Sequence, residues 1–143
     1  MQHDGACHCG AIGLELTLQW TPAETPVRAC GCNFCRAHGA RTVSDPAGLL
    51  ELYFRDPSRV QRYRFGLETA DFLLCRECGV YVAAVAATER GLAGTVNVNA
   101  LADRDSFDEQ PPVVSYDGES AQERRVRRSA RWTPTVIRVR GAV

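Results

Sequence analysis

Seven cysteines gathered in three short clusters constrain this chain more than any other feature. Cys7 and Cys9 form a CxC near the start, and Cys75 and Cys78 form a CxxC in the middle. Between them, Cys30-Gly31-Cys32-Asn33-Phe34-Cys35 packs three thiols into six residues. No cysteine lies elsewhere, and an odd number argues against a complete disulfide framework. Met1-Gln2-His3-Asp4-Gly5 leads into the first cluster without a secretory pattern. The longest apolar run, Val80 to Ala87, is far short of a membrane span. The expectation is a cytoplasmic protein with no membrane partner, and in a reducing compartment clustered thiols point to metal.

Counting ligands divides the clusters. A CxC in extended backbone sets two thiolates on one face, and a CxxC followed by glycine forms a knuckle that does the same. Zinc takes four such ligands in tetrahedral array. Cys7, Cys9, Cys75 and Cys78 make one complete set, drawn from segments more than sixty residues apart. Such a site contributes folding free energy directly. Cys30, Cys32 and Cys35 are then one ligand short. Either the fourth position is open, as in catalytic zinc, or His38 closes a structural Cys3His site; spacing leaves both open. His3 and His8 are weaker ligand candidates, and His8, between two ligands, is expected to point away from their metal.

The rest of the chain predicts mainly β structure in a single domain, residues 1–143. Ile12, Leu14, Leu16, Leu18 and Trp20 alternate as the inward face of a strand. Arg36 to Ala40 suggests one helical turn closed by Gly39. Leu49–Phe54 and Val60–Phe65 read as strands around a turn at Asp56-Pro57-Ser58. Phe72-Leu73-Leu74 runs into the CxxC. Val80–Val85 is a continuous apolar strand, with Gly91 and Gly94 bracketing a turn to its partner Thr95–Asn99. Val113–Tyr116 reads as a short strand. Ser120 and Glu123 have capping-box spacing, so a C-terminal helix is expected from there to about Trp132, stopping before Pro134. Val136–Arg140 is a final strand.

The motifs Gly5-Ala6-Cys7-His8-Cys9-Gly10, Cys30 to Gly39, and Cys75-Arg76-Glu77-Cys78-Gly79 together resemble the glutathione-dependent formaldehyde-activating (GFA) family. Centromere protein V belongs to the same broad group. The resemblance covers roughly residues 5 to 100, and Tyr116 through Pro134 looks like a bacterial subgroup. It implies a β-tent fold of the kind seen in methionine sulfoxide reductase B, with two or three sheets around zinc. It implies structural zinc at Cys7, Cys9, Cys75 and Cys78 and an active site at Cys30, Cys32 and Cys35. The activity it implies is a carbon–sulfur lyase reaction in which glutathione and formaldehyde give S-(hydroxymethyl)glutathione. The partners are then a small-molecule thiol and an aldehyde.

Three thiolates leave a zinc complex net negative and soft, which favours a sulfur fourth ligand, the substrate thiolate. His38 is the best candidate for general acid or base, since its titration range suits neutral pH. Asn99 either faces the site or caps a loop. The 17 basic residues are all arginine and are matched by 17 acidic ones, so bulk charge implies no nucleic-acid partner. The run Glu123-Arg124-Arg125-Val126-Arg127-Arg128 reads as a solvated helix face with Glu123 paired to Arg127; alternatively, one arginine reaches a substrate carboxylate. Two rival functions stand beside the enzyme: a non-catalytic zinc scaffold for protein or nucleic acid, and a redox role for the middle cluster. The redox reading is disfavoured because no CxxC is expected to open a helix within a βαβ unit.

Overall fold

A computed structural model describes residues 1–140. The chain opens with a hairpin of β1 (Gln2–Ala6) and β2 (Ile12–Thr17), paired antiparallel with Gly5 opposite Leu14. Ile12, Leu14 and Leu16 are buried as their alternation predicts, and Leu18 continues the pattern beyond the strand. Trp20 is only half-buried. β1 is not apparent in the sequence because its own residues are mostly polar; its backbone completes the hydrogen bonding of β2.

β5 (Leu49–Phe54) pairs with the other edge of β2, and the last strand, β11 (Thr133–Val139), runs parallel to β5. The first two residues of β11 instead pair with β9 (Gly91–Asn97), so β11 joins two halves of a nine-stranded sheet. The second half continues from β9 through β8 (Tyr81–Thr88) and β7 (Asp71–Cys75) to β6 (Val60–Tyr63). β4 (Thr42–Val43) also pairs with β9. β3 (Ala29–Cys30) and β10 (Val113–Val114) form a separate parallel pair. The two helices are α1 (Asn33–His38) and α2 (Ala121–Arg131), the latter C-terminal as expected. The architecture is mainly β. Among the described residues no helix is long and apolar enough to cross a membrane.

One buried cluster holds Leu16, Leu50, Leu52 and Phe54 from the first half with Leu73, Val82 and Val96 from the second. Burying a side chain of this size stabilises by about 1.5–3 kcal/mol, so the two halves are held mainly by apolar contact. β8 is buried on both faces, which explains its unbroken apolar sequence. Val82 and Val85 enter the main core, Ala84 and Ala86 pack with Trp132, and Tyr81 packs with Cys35.

Several sequence expectations need correction. The middle helix starts at Asn33, three residues earlier than predicted, because Cys32 acts as its N-cap. α2 carries the predicted capping box and ends one residue early, at Arg131. β11 begins at Thr133 and includes Pro134, tolerated where the strand changes partner and a ladder hydrogen bond is dispensable. Gly94 does not bound a turn; it lies inside β9, opposite Val85 and Thr133. A Cβ there would stand 2.9 Å from Thr135 Oγ1 and 3.1 Å from both the Ala84 carbonyl oxygen and Leu50 Cδ2. Glycine is required because β11 crosses at this point. Gly94→Ala is expected to destabilise the fold by about 1–3 kcal/mol, the usual cost of overpacking, as a lowered urea midpoint with unchanged slope.

Candidate functional site

Cys7 and Cys9 lie in the turn of the β1–β2 hairpin, not in extended strand as expected for a CxC. The turn closes through the Gly10 N–H on the Cys7 carbonyl (3.1 Å), and the Ile12 N–H donates to Cys7 Sγ (3.3 Å). Cys75 and Cys78 form the predicted knuckle between β7 and β8. Gly79 donates its N–H to the Cys75 carbonyl (2.8 Å) with φ of 80°, a left-handed conformation that explains the glycine. The two turns bring all four sulfurs within 4.8 Å of one another. Cys7 and Cys9 Sγ are 3.8 Å apart, and Cys9 and Cys75 Sγ are 3.5 Å apart. Tetrahedral zinc with Zn–S near ~2.3 Å needs sulfur separations of about 3.8 Å, so this donor set fits the ion. Burial pushes the Cys7 thiol up to about 12. Burial also raises Cys78, but the Val80 and Cys9 N–H groups and the neighbouring thiols outweigh it and bring it down to about 6.

Cys30 ends β3, Cys32 caps α1, and Cys35 sits in its first turn. Their sulfurs also lie within 4.8 Å of one another. The Cys35 N–H donates to Cys32 Sγ at 3.4 Å, and the unpaired N–H groups of a helix start favour a thiolate there. The Gly31 N–H donates to the Val114 carbonyl (2.8 Å), which fixes the loop against β10. Hydrogen bonding from Cys35 holds the Cys30 thiol down at about 5, while Cys35 is pushed up by that contact and by burial. The cysteines are all free, and the two clusters could each hold a zinc ion. The CxxC of Cys32 and Cys35 does open a helix, against expectation, though that helix is only six residues long.

The three-cysteine cluster lines a pocket of about 80 Å³. Tyr81 and Phe72 line it from the sheet, Phe65 from the loop after β6, and Arg28, Arg124, Arg127 and Arg128 also face it. Burial and then the three thiolates push the Tyr81 phenol well above its ordinary value, which keeps it a neutral O–H donor. The sequence offers one signal for Tyr81, a lone aromatic two residues after the CxxC-Gly in an alanine- and valine-rich strand. It offers none for Arg28.

His38 stands outside both sulfur groups and outside this pocket. It is exposed, its ring 4.6 Å from that of Phe34 and 5.6 Å from that of Tyr81. His8 is exposed. His3 is buried and pairs through Nδ1 with Asp103 Oδ2 at 2.8 Å, fastening β1 to the segment after β9. Asn99 serves the loop: it donates to the Gly39 carbonyl (2.9 Å) and accepts from Arg41 (3.1 Å). The arginine run is not a solvated face. Glu123 is committed to the helix cap, so Arg127 pairs with Glu119 at 3.0 Å instead.

The family model described as glutathione-dependent formaldehyde-activating enzyme matches residues 2–116. A crystal structure of a Rhodobacter sphaeroides protein is similar, at 30% sequence identity and a TM-score of 0.55, covering 78% of this chain and 99% of that one. The cysteine motifs fall within the matched residues, and the chain belongs to the glutathione-dependent formaldehyde-activating enzyme family.

Proposed function

We propose that this protein is a zinc-dependent enzyme of the carbon–sulfur lyase type, acting on a thiol–aldehyde adduct such as that of glutathione and formaldehyde. The observation that carries this reading is a three-thiol cluster on a pocket wall with no fourth His, Cys, Asp or Glu ligand gathered to it among the described residues. Family membership supports it, since the family takes its name from that reaction. In this reading Cys7, Cys9, Cys75 and Cys78 hold a structural ion, and Cys30, Cys32 and Cys35 hold a second. Zinc at the second site supplies a soft cationic centre beside which a thiol ionises near neutral pH. We read residues 1–143 as one domain of the β-tent type, working in the cytoplasm.

The chain's own groups have separate tasks. Cys30, Cys32 and Cys35 would hold the ion at the pocket wall, where it would bind the reacting sulfur. Phe65 and Phe72 line the pocket and make that side of it apolar. The substrate sulfur attacks the aldehyde carbon; the C–S bond forms as the carbonyl π bond breaks. The thiol proton passes through water to the carbonyl oxygen, so the adduct balances. Tyr81 brings an O–H donor to the pocket for that oxygen. Tyr81 hydrogen-bonds that oxygen without giving up its own proton, because burial keeps the phenol neutral, and His38, exposed to solvent, does not line the pocket.

Exchange NMR of glutathione with formaldehyde, on protein loaded with zinc, tests the reaction. An exchange rate above that of buffer is expected, and no acceleration with any thiol would sink the enzyme reading. Metal analysis tests the division of ligands. Wild type and His38→Ala should each bind two zinc ions per chain; loss of one ion in His38→Ala would instead make the second site closed and structural. Cys7→Ser and Cys78→Ser should impair folding, whereas Cys32→Ser should stay soluble with one zinc and no activity. Equal insolubility of all three variants would refute the division.

A further inference from the structure

Helix α2 turns its charged side inward. Arg124, Arg127 and Arg128 stand at i, i+3 and i+4 and share one helix face. Arg128 is 6% exposed and Val126, on the opposite side, is 60% exposed. A surface helix ordinarily buries its apolar stripe, so the cationic stripe here has been placed against the pocket for another reason. Arg28, half-buried ahead of β3, lines the same pocket.

Not all of this charge is answered by the protein. Arg127 is fully committed: Glu119 accepts from its Nε and Nη2 at 3.0 Å, and the Tyr116 ring lies 3.7 Å from its guanidinium carbon. Arg128 gives Nη1 to Thr69 Oγ1 (2.6 Å) and stacks over Trp132 (4.7 Å), yet its buried Nε has no partner. Arg124 gives Nη2 to the Tyr116 carbonyl (3.1 Å), and its buried Nε is also unpaired. Arg28 gives Nη2 to Ser44 Oγ at 3.0 Å. Among the described residues none of these three arginines has a carboxylate within 4.0 Å. Asp117 also lines the pocket but is exposed. Burial and the cations of Arg127 and Arg124 pull the Arg128 guanidinium down to about 10, as expected for a cation short of counter-charge.

The thiolates alone do not account for this. Three thiolates on a divalent ion leave one negative charge, fewer than three unpaired guanidinium groups require. Cys32, Phe65, Asp117 and Arg124 also border a neighbouring space of about 540 Å³, so the room beside the cysteines admits a thiol that carries its carboxylate at some distance from the sulfur.

We propose that the arginine wall reads a carboxylate carried by the thiol substrate, so that an acidic thiol is preferred over its neutral amide. This rests on the thiol–aldehyde reading above. It assigns Arg124 and Arg128 as specificity residues, with Arg127 and Glu119 holding the wall in place.

Calorimetric binding to the zinc-loaded protein separates the possibilities, with 3-mercaptopropionate, its neutral amide and glutathione as probes. The acid should bind at least about tenfold more tightly than the amide, the value of one charge-assisted hydrogen bond lost. That gap should close to within about threefold in Arg124→Gln and in Arg128→Gln. Glutathione, which also carries carboxylates, should bind more weakly to both variants than to wild type. Equal binding of acid and amide, or an unchanged gap in the variants, overturns the carboxylate site. If Arg128→Gln fails to fold, Arg124→Gln at its half-buried position carries the test. Exchange NMR with each thiol and formaldehyde keeps the two readings apart: selective binding without exchange sinks the enzyme and leaves the carboxylate site standing.

Discussion

The meeting of two turns at four sulfurs is the constraint on which the rest of this fold depends. In the strand order β1-β2-β5-β11-β9-β8-β7-β6, the hairpin that carries Cys7 and Cys9 lies at one end. The knuckle that carries Cys75 and Cys78 lies near the other. Their sulfurs can meet only if the sheet curls over and brings its ends together, and the main core fills the space so enclosed. Cys9 and Cys75 are 66 residues apart, and closing a loop of that length costs about 4 kcal/mol plus a constant. Structural zinc in small domains contributes apparent binding free energies of about 10–16 kcal/mol, which exceeds that cost. A metal at this point therefore has enough free energy to set the curvature of the sheet.

The same knuckle shapes the pocket. Gly79 reverses the chain after Cys78, and the strand that leaves it begins with Tyr81, which packs against Cys35. Only two residues, Gly79 and Val80, separate an outer-cluster ligand from a wall of the pocket. The pairing of β7 with β8 shifts register between Leu73 and Leu74, just before the knuckle. Asn97 donates to the Tyr81 carbonyl at 2.9 Å and fixes that end of β8 to β9. The middle cluster, by contrast, is held locally by its own helix cap and by β10, so it can be altered without opening the sheet.

What the sequence reveals follows the range of the interaction concerned. The cysteine groups were legible because ligand spacing is a local property, and the α2 cap because Ser120 and Glu123 are three residues apart. Ile12 to Leu16 were legible because one face of β2 is buried throughout. Partners far apart in sequence left no such trace. His3 finds Asp103 a hundred residues away, and β11 finds both β5 and β9 at once. The role of Gly94 is invisible until that crossing is known. The arginines of α2 misled for a related reason. Helical periodicity identifies which residues share a face, but hydrophobicity alone assigned that face to solvent, and the pocket it meets is assembled from distant segments.

The family match ends at residue 116, whereas the arginine face lies on α2, residues 121–131. The cysteine clusters thus belong to the part of the chain that fits the family model, and most of the cationic wall to the part beyond it. That later part is not an appendage. After α2 the chain re-enters the sheet as β11, between β5 and β9, and Trp132 packs with Ala84 and Ala86 of β8. A helix tethered this way at its C-terminal end and capped at its N-terminal end can carry buried charge that an isolated helix would turn to water. The central position of β11 in the sheet is therefore what makes an inward arginine stripe sustainable, and it couples the arginine face of the pocket to the stability of the fold.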